Sequence, residues 1–106
     1  MSNRLKQLLE LLEKAPKDAF LNFAIAKEYE SSGNDEKALE FYLRIQSNTP
    51  EYVGFYYHLG KLYVRQNLVD KAISTYKKGM TIAKKVNDKH AFSELASANL
   101  EIDDDF

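Results

Sequence analysis

The sequence predicts an all-α fold built from antiparallel helix pairs, and three observations support this prediction. Apolar residues recur at three- and four-residue spacing along most of the 106 residues, which is the period of an amphipathic helix. The two-residue alternation of β-strands never persists. A pattern of large, small and tyrosine residues also returns after 34 positions, because Ile25-Ala26 and Tyr29 are followed by Leu59-Gly60 and Tyr63. Self-similarity at this period is typical of stacked helix pairs.

Composition limits the classes of function. The net charge of −1 gives no overall electrostatic reason to expect a nucleic acid or a membrane as partner. The chain has no cysteine, which excludes disulfides, thiolate nucleophiles and cysteine-ligated metals. Leucines alternate with charged residues over the first 14 positions, so neither a signal peptide nor a membrane span is predicted there. We expect a single domain, 1–106, in the cytoplasm.

The first predicted helix covers residues 3–14. Leu5, Leu8, Leu9 and Leu12 form one apolar stripe, and Pro16 prevents the helix from continuing. Pro16 lies one period of 34 residues before Pro50. The same step aligns Leu11 with Ile45. Residues 3–14 are therefore interpreted as half of a repeat, acting as an N-terminal capping helix that covers the apolar end of the array.

The next predicted helix covers residues 18–32. Asp18 is its expected N-cap, and Gly33 is expected to end it in the left-handed conformation. Asn67 holds the same position one period later, and asparagine is the next best residue for a positive φ.

The remaining predicted helices cover 35–47, 51–66, 69–85 and 88–102. Thr49, Pro50 and Glu51 read as the start of the helix at 51–66, with threonine as N-cap and proline at the first helical position. Asp88 is the predicted N-cap of the last helix, which is interpreted as a C-terminal capping helix. Residues 103–106 are expected to fray as an acidic tail.

The repeated pattern resembles the tetratricopeptide repeat family. Its large, small and aromatic positions are matched in both copies, phased as repeats 19–52 and 53–86: Ile25, Ala26, Tyr29, Gly33, Ala38, Tyr42 and Pro50, then Tyr56, Leu59, Gly60, Tyr63, Ala72 and Tyr76. Asn22 departs from the pattern, since the family prefers a bulky aromatic residue there. The resemblance implies a superhelix of helix pairs whose first helices line a concave face that binds peptides or helices.

Six residues on that face are the predicted partner-binding residues. Phe23 and Lys27 are four positions apart, as are Tyr57, Lys61 and Arg65, so each set shares one side of its helix. Phe20 completes the set. Two aromatic residues near lysine and arginine would suit another protein or peptide carrying an acidic segment or a free carboxylate. The alternative for Phe20 and Phe23 is that they pack against the N-terminal capping helix.

Residues that could carry chemistry are sparse. His58 and His90 are 32 positions apart and neither is paired with another ligand at helical spacing, so no metal site is predicted. No phosphate loop or nucleophile motif occurs, and neither a cofactor nor catalytic residues are expected. The lysines at 77, 78, 84, 85 and 89 are better explained by the negative end of a helix dipole than by binding to nucleic acid.

The sequence thus predicts a non-catalytic protein- or peptide-binding module. A self-associating scaffold, in which exposed end faces or Phe20 and Phe23 form a homodimer, is the alternative. A regulatory small-molecule binder or enzyme is the third hypothesis, and no sequence feature supports it.

Overall fold

The structure, a computed structural model, describes residues 2–103, and these residues form six α-helices and no strand. The helices are α1 (Asn3–Lys14), α2 (Ala19–Ser31), α3 (Asp35–Asn48), α4 (Phe55–Arg65), α5 (Val69–Lys85) and α6 (Lys89–Leu100). The predicted all-α class is confirmed. The chain divides into two compact units, of which the first ends at Tyr52 and the second begins at Val53.

In the first unit, α1 packs on α2 through one leucine stripe. Leu5, Leu8 and Leu12 are buried, and Arg4 Nε lies 2.7 Å from Glu28 Oε1 of α2. The alignment of Leu11 with the buried Ile45 is wrong, because Leu11 is 54% exposed. The contact with α2 uses residues three and four positions apart, and Leu11 points about 100° away from Leu12 around the helix.

The core of the first unit lies between α2 and α3. Small side chains allow the two helices to approach, and Ala26 and Ala38 are fully buried there. Ile25 and Tyr42 fill the space beside them with no exposed surface. The Tyr29 ring stacks on Phe41 of α3 with the centroids 5.7 Å apart.

Asn22 closes the connection between α1 and α2. Its amide nitrogen donates to the carbonyl oxygens of Pro16, at 3.2 Å, and Asp18, at 2.9 Å. The Asp18 carboxylate accepts from the Leu21 N–H at 2.9 Å, as predicted for the N-cap of α2. A buried asparagine therefore stands where the family prefers an aromatic residue, and its amide adds hydrogen bonds to two backbone carbonyls that a ring could not make.

The segment Thr49–Tyr52 forms a turn, and the prediction that it begins a helix is wrong. Thr49 caps the end of α3, with its N–H donating to the Ile45 carbonyl at 2.7 Å. The Tyr52 N–H then bonds back to the Thr49 carbonyl at 3.0 Å. Proline is also favoured within β-turns, so the same residues serve a turn here. Helix α4 begins at Phe55.

The core of the second unit depends on two close helix contacts. Gly60 of α4 faces the Tyr76 ring of α5, which occupies the place that a Cβ atom would take. Gly79 of α5 faces Tyr56, and a Cβ there would lie 2.6 Å from Tyr56 Cβ. Leu95 of α6 completes the contact at 2.9 Å from the same point. Glycine is needed at both positions because a neighbouring side chain occupies the space that a Cβ atom would take.

Three connections of the chain share one geometry. Each has three residues, with a left-handed middle residue, and its last N–H bonds to a carbonyl in the preceding helix. The middle residues are Gly33 (φ 79°), Asn67 (φ 61°) and Asn87 (φ 60°). The N–H bonds run from Asn34 to Tyr29, from Leu68 to Tyr63 and from Asp88 to Ala83, at 2.8–2.9 Å. This is the hydrogen bonding of a Schellman motif. The roles predicted for Gly33 and Asn67 are confirmed; Asn87 was not foreseen.

Helix α6 begins after its predicted N-cap Asp88, whose carboxylate accepts from the Ala91 N–H at 2.9 Å. The helix ends at Leu100. Asp103, predicted to fray, is instead buried at 9% exposure. Its carboxylate lies 3.2 Å from Lys77 Nζ and accepts from the Asn99 amide at 3.4 Å. The rest of the predicted tail, 104–106, lies outside the described residues.

Candidate functional site

The side of α2 that carries the predicted binding residues combines aromatic and basic groups. Phe20 is 60% exposed, while Phe23 and Lys27 are half-buried. The Phe23 ring contacts the rings of Tyr42 at 6.3 Å and Tyr52 at 6.0 Å between centroids. Most of the Phe20 side chain is therefore accessible, and packing of Phe20 and Phe23 against the N-terminal helix stays the alternative.

Two tyrosines fix the position of this surface in the first unit. The Tyr42 hydroxyl donates to the Glu30 carboxylate, which links α3 to the end of α2. Burial raises the pKa of the Tyr52 hydroxyl, and the nearby Asp18 carboxylate raises it further. Tyr52 is half-buried, because the turn after α3 brings its ring to Phe23.

The equivalent side of α4 lies in the second unit. Tyr57 and Lys61 are half-buried, and Arg65 is exposed. The Lys61 ammonium lies 5.8 Å from the centroid of the Tyr57 ring, within range for a cation–π interaction. The edge of the neighbouring His58 ring meets Tyr57 with the centroids 5.4 Å apart. The face thus offers an aromatic surface with a lysine amino group held over it.

The predicted residues fall into two sets, one in each unit. Phe20, Phe23 and Lys27 lie on α2, and Tyr57, Lys61 and Arg65 lie on α4. An aromatic residue followed four positions later by lysine occurs in both, at positions that differ by 34. A role of these residues in binding stays a prediction.

Metal ligands and membrane spans can be assessed for residues 2–103. Within that range, no three His, Asp or Glu side chains are grouped so that they could hold a metal ion. None of the six helices is both long and apolar enough to cross a membrane.

Comparison with known proteins identifies the repeats. A family model of the tetratricopeptide repeat matches residues 21–52 and 53–86. The crystal structure of a tetratricopeptide repeat domain protein from Salinibacter ruber is similar, with 39% identity and a TM-score of 0.77. The match covers 80% of this chain and 94% of that one.

Two further solved structures show the same fold. A solution NMR structure of a tetratricopeptide repeat domain protein from Salinibacter ruber has 39% identity and a TM-score of 0.79, over 83% of this chain and 89% of that one. The crystal structure of the MamA protein has 24% identity and a TM-score of 0.69, over 80% of this chain and 46% of that one. No curated protein matches the chain. The repeated helix pairs, the matching family model and the 39% identity over most of the chain together place this protein in the tetratricopeptide repeat family.

Proposed function

We propose that this chain is a non-catalytic protein-binding module that uses the exposed side of the first helix of a repeat, α2 in the first unit and α4 in the second, to contact its partner. Tetratricopeptide repeats generally mediate protein–protein interaction. The observation that carries the proposal is the recurrence of an aromatic residue and a lysine, Phe23 with Lys27 and Tyr57 with Lys61, on the first helix of each repeat. The proposed location is the cytoplasm, on the composition and N-terminal pattern alone.

The proposed partner is a segment with an acidic side chain or a free carboxylate. Aromatic side chains bury a large area with little loss of rotamer freedom, which makes them effective anchors. Lys27, Lys61 and Arg65 supply cationic donors beside those anchors. Lys61 already lies over the Tyr57 ring, so its ammonium is partly positioned before a carboxylate arrives.

The test measures binding of a fluorescein-labelled acidic peptide that contains one phenylalanine and ends in a free carboxylate. We expect the triple variant Lys27→Ala, Lys61→Ala and Arg65→Ala to bind roughly tenfold more weakly, because each exposed ion pair contributes about 0.2–1 kcal/mol. Fluorescence anisotropy gives the dissociation constants, and circular dichroism shows that the variant is folded.

The matched control removes the same charge at exposed positions on other helix faces: Lys6→Ala, Lys37→Ala and Lys78→Ala. We expect this variant to bind within about twofold of the parent, because long-range attraction is screened over about 10 Å. Equal affinities for the two triple variants would contradict the role of Lys27, Lys61 and Arg65.

Self-association is the second candidate, and exposed apolar side chains favour it. Leu11 is 54% exposed, and Phe20 and Leu100 are each 60% exposed. Burial of such side chains between two copies would stabilise a homodimer. A regulatory small-molecule binder or enzyme has no comparable observation in its favour.

A further inference from the structure

A groove between α5 and α6 lies in the second unit, apart from the side of α4 described above. Two surface pockets form it, with volumes of about 390 and 290 Å³. Both are lined by Lys84 and Phe92, so they adjoin each other. Each volume is at or near the lower end of the range for ligand pockets, which suits one or two side chains of a peptide.

The floor of the groove is apolar and is only partly covered. Phe92 and Met80 are half-buried, and Ala83 lies at the other end of the lining. A methionine adapts its shape to different apolar side chains, and a half-buried phenylalanine ring offers a flat contact surface. This floor would accept an apolar side chain of a partner.

The rim of the groove is basic. Between residues 77 and 89 the sequence has five lysines, and its single acidic residue is Asp88. The Asp88 carboxylate already accepts a hydrogen bond as the N-cap of α6. Lys84 and Lys89 both line the groove, and the Lys84 ammonium lies 5.7 Å from the centroid of the Phe92 ring. The attraction of lysines to the end of the α5 dipole explains their position along the helix, but not the placement of Lys84 over an aromatic floor.

One lysine that lines the groove already pairs with a carboxylate of this chain. Lys77, which lines the smaller pocket, lies 3.2 Å from the Asp103 carboxylate. Lys77 and Lys84 are seven residues apart on α5, which corresponds to about 10.5 Å along the helix axis. Three residues of an extended peptide span a similar distance.

We propose that the α5–α6 groove is a second docking surface, and that its occupant is an acidic segment of another protein with an apolar side chain between its carboxylates. The apolar side chain packs on Met80 and Phe92. The carboxylates pair with Lys84 and Lys89. An acidic segment suits the groove because its carboxylates complement the basic rim. This basic rim is a local feature, since the protein as a whole has a net charge of −1.

The test follows amide NMR shifts of the isotope-labelled chain during titration with a peptide in which one leucine is flanked on each side by two aspartates. We expect the largest shifts at Met80, Lys84, Lys89 and Phe92. Replacing the peptide leucine with serine should weaken binding by about tenfold or more, since the apolar contact with Met80 and Phe92 is lost.

Charge reversal separates this groove from the faces of α2 and α4. We expect the double variant Lys84→Glu and Lys89→Glu to lose binding by tenfold or more. The control Lys78→Glu changes an exposed lysine of α5 that does not line either pocket, and it should weaken binding by no more than about twofold. Both variants are exposed substitutions, and their amide spectra report whether the fold is kept.

Three results would overturn the proposal. In the first, the largest amide shifts occur at Phe23, Lys27, Tyr57 and Lys61. This result would support the proposed function but contradict a second docking surface. The second is tighter binding of a single-stranded polyuridine with the same dependence on Lys84 and Lys89, which would make a nucleic acid the occupant. The third is a shift of the groove amides with protein concentration in the absence of peptide, which would make a second copy the occupant.

Discussion

Tyr76 shows how one side chain can join helix packing to ionisation. Its ring takes the space opposite Gly60, and only 1% of the residue is exposed. Burial raises the pKa of its hydroxyl to about 12, with smaller contributions from the negative charges of Tyr57 and Glu101. The neutral phenol is therefore favoured by the folded state, since a phenolate at this position would lose its hydration.

We expect the free energy of unfolding to fall as the pH rises between about 10 and 12. In the unfolded chain Tyr76 ionises near its ordinary pKa of about 10, whereas the folded chain holds the proton until about pH 12. The unfolded state thus releases its proton first, and the stability is lost as the pH rises through the folded pKa. Urea denaturation at a series of pH values measures the effect.

The control for this prediction is Tyr76→Phe, which keeps the ring and removes the ionisable group. Its stability should decline less steeply over the same pH range. Some decline should persist, because burial also raises the pKa of Tyr52 and Tyr63. Parallel curves for the parent and the variant would contradict the role assigned to Tyr76.

At the scale of the helices, α5 packs closely against both α4 and α6. At Gly79 of α5 the structure leaves no room for a side chain. Tyr56 of α4 and Leu95 of α6 both approach the position that a Cβ atom would occupy, at 2.6 and 2.9 Å. The nearer atom is Tyr56 Cβ, which is fixed to the backbone and cannot turn away.

We expect Gly79→Ala to destabilise the protein by about 1 kcal/mol. Alanine in a helix interior gains up to about 1 kcal/mol over glycine, but overpacking typically costs about 1–3 kcal/mol. The melting temperature should fall by several degrees. Ser74→Ala, at an exposed position of the same helix, is the matched control and should leave the melting temperature unchanged or raise it. A rise for Gly79→Ala would show that α4 and α6 can move apart at no cost.

At the scale of the whole molecule, the chain contains two compact units, each with its own packed helices. The first contains α1, α2 and α3, and the second contains α4, α5 and α6. Ala26, Ala38 and Tyr42 form the core of the first, and Leu59, Tyr76 and Leu95 that of the second. Each unit thus holds one repeat helix pair and a third helix, α1 in the first unit and α6 in the second.

We expect the solution mass to stay at 12.2 kDa over a wide concentration range. Leu11, Phe20 and Leu100 are scattered over three helices, and single exposed apolar residues are common on monomeric proteins. Sedimentation equilibrium or light scattering measures the mass. A rise to twice that value would favour the homodimer, and Phe20→Ser would then show whether this residue lies in the interface by restoring the monomer.

The candidate site could be predicted only in part. Helical periodicity and the 34-residue step placed Phe23 with Lys27, and Tyr57 with Lys61, at matching positions on two helices. The step could not show that the Tyr52 ring contacts Phe23, because that contact depends on the turn after α3. No simple sequence pattern predicts the α5–α6 groove either, because Lys84 and Phe92 lie on different helices.

The sequence by itself determined the helical class, five of the six helix starts to within one residue, and the left-handed ends at Gly33 and Asn67. These features depend on periodicity, capping groups and φ preferences, which act over only a few residues. Tertiary structure alone decided that Thr49–Tyr52 turns before α4 begins and that Leu11 faces solvent. It also decided that Asp103 is bound by Lys77 and Asn99. These outcomes depend in part on groups that are distant in the chain, such as Lys77 beside Asp103 and Phe23 beside Tyr52, and one-dimensional spacing does not contain that information.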